Sequence, residues 1–353
     1  MWEQVDTLLE RAPEGASLDL HRVELLEARR RRNAGEPVGD ALLAEEREAG
    51  MRELALQPLL ARVRELVDGP LVLMKGAEIA RDYPGPRLRR YCDVDLLAGD
   101  PEAAQAALLA AGFVEVFPPE WFVDIHHLRP LWWPGLPLTI ELHTHPHWPA
   151  GAPAPDPAEL LETAVPGRVG VDGVQALHPA AHAIALAAHD WAHAPLGRLG
   201  SLIDVVAALQ GSSDAEATAL ARRWGCGRLW RTTRRAAGAL LEGDRRSAAT
   251  ALWARHLAPM RERTVLEWHL HRALAPAWGL PGPRGARGAL ASLGATSRPL
   301  PGEPASVKLR RSALALRQAG LPRSVHDLAL EERDARGLLA DRRVAPGGAG
   351  EAL

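Results

Sequence analysis

The sequence predicts an α+β fold, with a sheet core between an N-terminal helical segment and a C-terminal helical domain. Three observations carry this. Apolar residues recur at helical spacing over residues 2–67, and short apolar runs punctuated by Gly and Pro fill 71–143. Beyond residue 179 the helical period returns.

The elements follow in order. Val5, Leu8 and Leu9, then Leu18, Val23, Leu25 and Leu26, mark two helices, broken at 13–15 and 33–37. The run Arg29-Arg30-Arg31-Arg32 ends the second of them, where basic side chains suit the helix dipole. A longer helix over 40–67 holds Pro58, so a kink or a split is expected there. Asp68-Gly69-Pro70 stops it and leads into the strand Leu71-Val72-Leu73-Met74. After Lys75-Gly76 a helix of about two turns runs to Asp82. A second strand carries Cys92-Asp93-Val94-Asp95-Leu96-Leu97, and Asp100-Pro101 opens a helix that Gly112 closes. Further strands are expected at 113–116, 123–131 and 138–143. Residues 149–178, rich in Pro, Gly and Ala, read as a connection with at most one short helix near 158–164. From Pro179 helices dominate to about 275. Residues 279–306 are poorly patterned, one or two helices fill 307–339, and the tail is expected to be disordered. The domain reading is therefore 1–68, 69–150, 151–178, 179–340 and 341–353.

Chemistry concentrates in the strand region. Side chains two apart on a strand share a face, so Asp93 and Asp95 project together while Val94 and Leu96 pack on the other side. Carboxylates so placed repel unless a cation lies between them, and Mg²⁺ takes one or two carboxylates plus phosphate oxygens and water. Two solvated acids at a strand end are the plainer alternative. A third acid, Glu141, lies on the strand Leu138-Thr139-Ile140-Glu141-Leu142-His143, with His143 on its face. Asp124 is a weaker candidate because its flanking pattern is poorer. His143, His145 and His147 continue at period two until Pro146 intervenes, with His126 and His127 nearby. Histidine suits Zn, Ni or Cu better than Mg, so a separate transition-metal site is an alternative reading of that cluster. On the helix 180–193, His189 and His193 lie four apart on one face. Arg198 and Asp204 follow. His182, His189-Asp190 and Asp204 superficially match a metal phosphohydrolase pattern, but the first histidine lies on the same helix as the pair. A hydrogen-bonded His189–Asp204 pair at a helix contact is the bland alternative.

Lys75-Gly76, Arg90-Tyr91-Cys92-Asp93-Val94-Asp95-Leu96, Glu141-Leu142-His143 and the later His189, His193, Arg198-Leu199 and Asp204 occur in one order. As an ordered set they resemble the bacterial uncharacterised nucleotidyltransferase family, of the polymerase-β-type superfamily, over roughly residues 50–210. The resemblance implies a mixed-sheet nucleotidyltransferase core. It implies Mg²⁺ or Mn²⁺ on Asp93, Asp95 and Glu141, with a nucleoside triphosphate as substrate. Lys75, Gly76, Arg90, His143, His189, His193, Arg198 and Asp204 would contact or buttress the nucleotide. The product would be a nucleoside monophosphate joined to a protein, peptide or small molecule, with pyrophosphate released. Two departures stand out: the Gly-Ser turn of many nucleotidyltransferases is replaced by Lys75-Gly76-Ala77, and the third acid is glutamate. A non-catalytic nucleotide-binding module, or an antitoxin-like interaction module, is the alternative on the same fold.

Composition limits the partners. The 353 residues carry a formal net charge of −2, which provides no basic footprint and disfavours nucleic acid. Two cysteines are too few for a disulfide scaffold, and with no signal peptide visible a cytoplasmic location is expected. No apolar run is long enough to span a bilayer.

Overall fold

The structure, a computed structural model, describes residues 1–123, 125–244, 248–279, 282–299 and 302–335. Four helices come first: α1 (Trp2–Glu10), α2 (Leu18–His21), α3 (Glu24–Asn33) and α4 (Asp40–Leu66). Helix α4 runs on through Pro58 as one helix, so the expected split into two does not occur. The carbonyl deprived of its donor there is that of Leu54, an exposed residue where water can serve it. Its other face buries Leu56, Leu59, Leu60 and Val63 against the sheet core.

The sheet is built from β1 (Leu71–Leu73), β2 (Asp93–Ala98), β3 (Val114–Glu115), β4 (Leu131–Trp132), β5 (Thr139–His143), β6 (Val165–Pro166) and β7 (Val174–Ala176). Its spatial order is β3-β4-β5-β2-β1-β7-β6. Strand β2 pairs antiparallel with β1 and parallel with β5, so the sheet is mixed, as expected. Helices α5 (Ala77–Ala80), α6 (Pro101–Ala110) and α7 (Pro157–Glu162) connect the strands. Asp100 caps α6 by accepting from the Ala103 amide at 2.9 Å.

Helices α8 (Pro179–His193), α9 (Leu199–Leu209), α10 (Asp214–Arg223), α11 (Gly227–Ala237) and α12 (Ala248–Trp253) complete the first compact unit, Met1–Met260. The second unit, Arg261–Leu353, carries α13 (Val265–Gly279), α14 (Gly282–Ser297), α15 (Ala305–Arg317) and α16 (Arg323–Ala335). The helical segment 179–340 is thus divided between two units. No helix among the described residues is long and apolar enough to cross a membrane.

Three expectations need correcting. Residues 125–131 do not form a continuous strand: after a short 3₁₀ turn (Pro119–Phe122) the run meets the sheet at a single antiparallel bridge between His127 and His143, and again where Leu131 enters β4. Prolines 118, 119 and 130 lack the N–H a ladder needs. The Arg129 side chain also donates at 2.8 Å to the carbonyl of Phe117, whose φ is 67°. The connection at 151–178 holds more than one short helix, because β6 and β7 extend the sheet beside β1. Runs of two and three residues are too short to show a period. Residues 282–297, which looked unpatterned, form α14, where glycines and arginines mask a run of alanine and leucine. Asp124 and the tail 341–353 lie outside the described residues.

Candidate functional site

Parallel pairing of β2 with β5 puts Asp95 directly opposite Glu141 and Asp93 opposite Thr139. Val94 and Leu96 are buried in the core on the opposite face, so the D-x-D alternation holds as the sequence implied. Lys75 follows β1, the neighbour of β2 on its other side, and reaches the same carboxylates.

Asp95 is the centre of the cluster, 1 % exposed. Its Oδ1 receives Lys75 Nζ at 2.8 Å and His143 Nε2 at 2.9 Å. Its Oδ2 is buried and has no hydrogen-bond partner. Burial alone would raise the pKa of this carboxyl, but the Lys75 charge and the His143 hydrogen bond hold it well below the usual range. Asp93 behaves oppositely: burial and the neighbouring Asp95 charge push it up to about 6. In His143, burial disfavours the charged ring, yet the hydrogen bond to Asp95 and the nearby Glu141 carboxylate outweigh it and raise the pKa. Glu141 Oε2 lies 3.7 Å from His143 Nε2 and 3.8 Å from His127 Nε2. Donor atoms of Asp95, Glu141 and His143 all fall within 4.8 Å of one another. A buried carboxylate oxygen without a donor, beside a second carboxylate, fits a hard divalent cation.

Gly76 has φ 57° and ψ −111°, a conformation that side chains resist, and a Cβ there would stand 3.3 Å from the carbonyl oxygen of Asp93. The glycine is what lets the Lys75 turn lie against β2. The helix it opens, α5, has only four residues, so its dipole is small.

A second group lies alongside. His147, in the loop after β5, meets His189 and His193 of α8, and their ring nitrogens lie within 4.8 Å of one another. His147 Nδ1 is 3.1 Å from His193 Nε2. His126 stacks on His147 with ring centroids 4.1 Å apart and planes 6° from parallel, and it also approaches His143 at 5.3 Å. Burial depresses His126 to about 2, His147 to about 3 and His193 to about 4, and takes His189 well below its usual value. These rings are neutral at pH 7. The Arg198 and Arg22 charges bear on His193 from outside the cluster.

Two residues singled out in the sequence lie elsewhere. Arg90 pairs with Glu24 at 3.0 Å and, more loosely, with Glu45 at 3.8 Å, tying the strand entry to the N-terminal helices. Asp204 is engaged at both oxygens by Arg89, Nε to Oδ1 and Nη2 to Oδ2, each at 2.8 Å, and Oδ1 accepts from Tyr83 at 2.6 Å. Neither a His189–Asp204 pair nor the phosphohydrolase set forms, because Asp204 is taken by Arg89 and Tyr83. The sequence left Arg89, whose charge reaches Asp93, without a role, and it placed His126 beside the period-two histidines without showing that this ring joins the two clusters. Arg89 stood unmarked beside Arg90, and no local signal separates them. The His126 signal was its place opposite the period-two histidines.

No curated protein and no solved structure matches the chain. The family described as "Uncharacterised nucleotidyltransferase" matches residues 17–242, well over half of the chain and all of the cluster just described, and the protein belongs to that family.

Proposed function

We propose that the protein transfers a nucleoside monophosphate from a nucleoside triphosphate to an acceptor hydroxyl on a protein, peptide or small molecule, releasing pyrophosphate. Family membership supports nucleotidyl transfer in general. The observation that carries the finer reading is the buried, partnerless Oδ2 of Asp95 on a strand that also bears Asp93 and faces Glu141. These three residues would hold Mg²⁺ or Mn²⁺. When bound, such a cation neutralises the phosphates and stabilises the attacking and leaving oxygens.

The remaining work falls to the chain. Lys75 neutralises Asp95 in the free protein. Once Asp95 has another countercharge, the Lys75 ammonium is left as a point charge for a phosphate oxygen. Gly76 keeps the backbone close enough for that reach. His143 hydrogen-bonds Asp95 and fixes its orientation, with the Glu141 carboxylate 3.7 Å from the same ring nitrogen. Arg198 supplies positive charge for the triphosphate on the α8–α9 side. Phosphoryl chemistry of this kind depends on positioning and electrostatics more than on covalent help from the protein. Arg90 and Asp204, with their carboxylate and guanidinium partners, act as supports and not as ligands.

The test is transfer of label from each of four α-³²P-labelled nucleoside triphosphates, with pyrophosphate release, in Mg²⁺ or Mn²⁺ and with cell lysate as acceptor. Wild type is compared with Asp93→Asn, Asp95→Asn and Glu141→Gln. Label moved by wild type and lost in all three supports the reading. Nucleotide binding by a folded wild-type chain, without transfer of any label, would replace it with a non-catalytic nucleotide-binding module. The Lys75–Asp95–His143 closure would then be the resting state of that module.

A further inference from the structure

We propose that His147, His189 and His193 form a second metal site, selective for a borderline transition-metal dication such as Zn²⁺, distinct from the carboxylate site. This goes beyond nucleotidyl transfer and does not depend on it.

The placement comes from two elements meeting. Histidines four apart on a helix present both rings on one face, the spacing used by helical zinc ligands. Helix α8 presents His189 and His193 this way, and the loop after β5 brings His147 against them. Strand β5 ends at His143, a bend over residues 144–145 and Pro146 follow, and His147 therefore stands outside the sheet register that carries Glu141 and His143. Nitrogens bound to one tetrahedral zinc lie about 3.3 Å apart, given Zn–N bonds of about 2.0–2.1 Å. His147 Nδ1 and His193 Nε2 already lie 3.1 Å apart. The His189–His193 and His147–His189 ring centroids, 4.6 and 5.2 Å apart, place the third ring beside them.

The donor set selects the metal. Three imidazoles without a carboxylate suit Zn²⁺, Co²⁺ or Ni²⁺ and not Mg²⁺. Three ligands also leave a fourth position for water or a substrate oxygen, as in zinc sites that act on substrate. The parallel stacking of His126 on His147 holds that ring's plane. His193 is exposed, which opens a route for the ion.

The experiment uses the full chain stripped by chelator and returned to buffer containing excess Mg²⁺. Zn²⁺ is titrated calorimetrically, and Co²⁺ is added in parallel to read its visible d–d bands. We expect one Zn²⁺ to bind in the presence of Mg²⁺, and Co²⁺ to give an intense tetrahedral-type spectrum. His147→Ala, His189→Ala and His193→Ala should each weaken Zn²⁺ binding by at least about 100-fold, since even partners outside the ligand shell are worth about 10–100-fold. His193→Ala is the safest for folding because that side chain is exposed. Asp95→Asn and Glu141→Gln should keep the tight site and its spectrum. Binding that survives His193→Ala in a folded chain, or that disappears in Glu141→Gln, would overturn the assignment. So would Zn²⁺ displaced by millimolar Mg²⁺.

Discussion

Asp204 separates a structural role from a ligand role, and the magnitude can be worked from its contacts. Asp204→Ala removes a carboxylate that receives two guanidinium hydrogen bonds and one phenol, with Arg89 and Asp204 side chains only 11 % and 12 % exposed. Removing one member of a buried ion pair strands the other charge, at a cost of about 3–5 kcal/mol. The Tyr83 hydroxyl loses its acceptor as well, although that loss will not add fully. For a domain of this size roughly 2–4 °C is lost per kcal/mol, so the melting transition should fall by roughly 6–20 °C. Thermal unfolding followed by circular dichroism reads this directly. Arg89→Met combined with Asp204→Leu should recover most of the loss, because no charge is then left buried without a partner. If Asp204→Ala melted like wild type and instead weakened nucleotide binding, the carboxylate would be a ligand. The support role would then be wrong.

The histidine cluster predicts acid lability. For a base with a depressed folded pKa, the unfolded chain protonates first, so stability is full above about 6.5 and is lost as pH falls toward the folded value. His193 at about 4, His147 at about 3 and His126 at about 2 set a window from about 6.5 down to about 2, to which His182, buried elsewhere on α8, adds at about 3. Urea midpoints between pH 7.5 and 5 should fall steadily, and His126→Leu should flatten the slope; a flat wild-type profile would contradict the burial of these rings. Gly76→Ala should lose about 1–3 kcal/mol from its positive-φ backbone and should impair transfer more than its stability loss explains, since the Lys75 turn presses on Asp93. Denaturant unfolding paired with a transfer assay separates the two effects. Gly200→Ala puts a Cβ 2.8 Å from the His21 carbonyl oxygen and 3.0 Å from that of Arg22, where α9 lies on α2. A loss of about 1–3 kcal/mol is expected there, and an unchanged melting temperature would mean that the contact can yield.

Much of this protein could be read from short-range pattern alone. Period-two alternation placed Asp93 and Asp95 on one face, because strand geometry is local and needs no knowledge of neighbours. The same reasoning paired His189 with His193 on α8, and the turn chemistry of Asp100-Pro101 and Gly112 bounded α6. What no local pattern carries is which side chains meet across elements. Arg89 and Arg90 are adjacent and chemically identical, yet one reaches Asp204 and the other Glu24, 115 and 66 residues away in sequence. Strands β6 and β7 are too short to signal themselves and exist because β1 offers them an unpaired edge. His147 comes to face α8 because β5 ends at His143 and the α8 helix packs where the following loop emerges. Spacing along the chain determined the individual candidates. Long-range packing, which buries Asp95 with one oxygen unpartnered and gathers three imidazoles within 4.8 Å, decided which of them share a site.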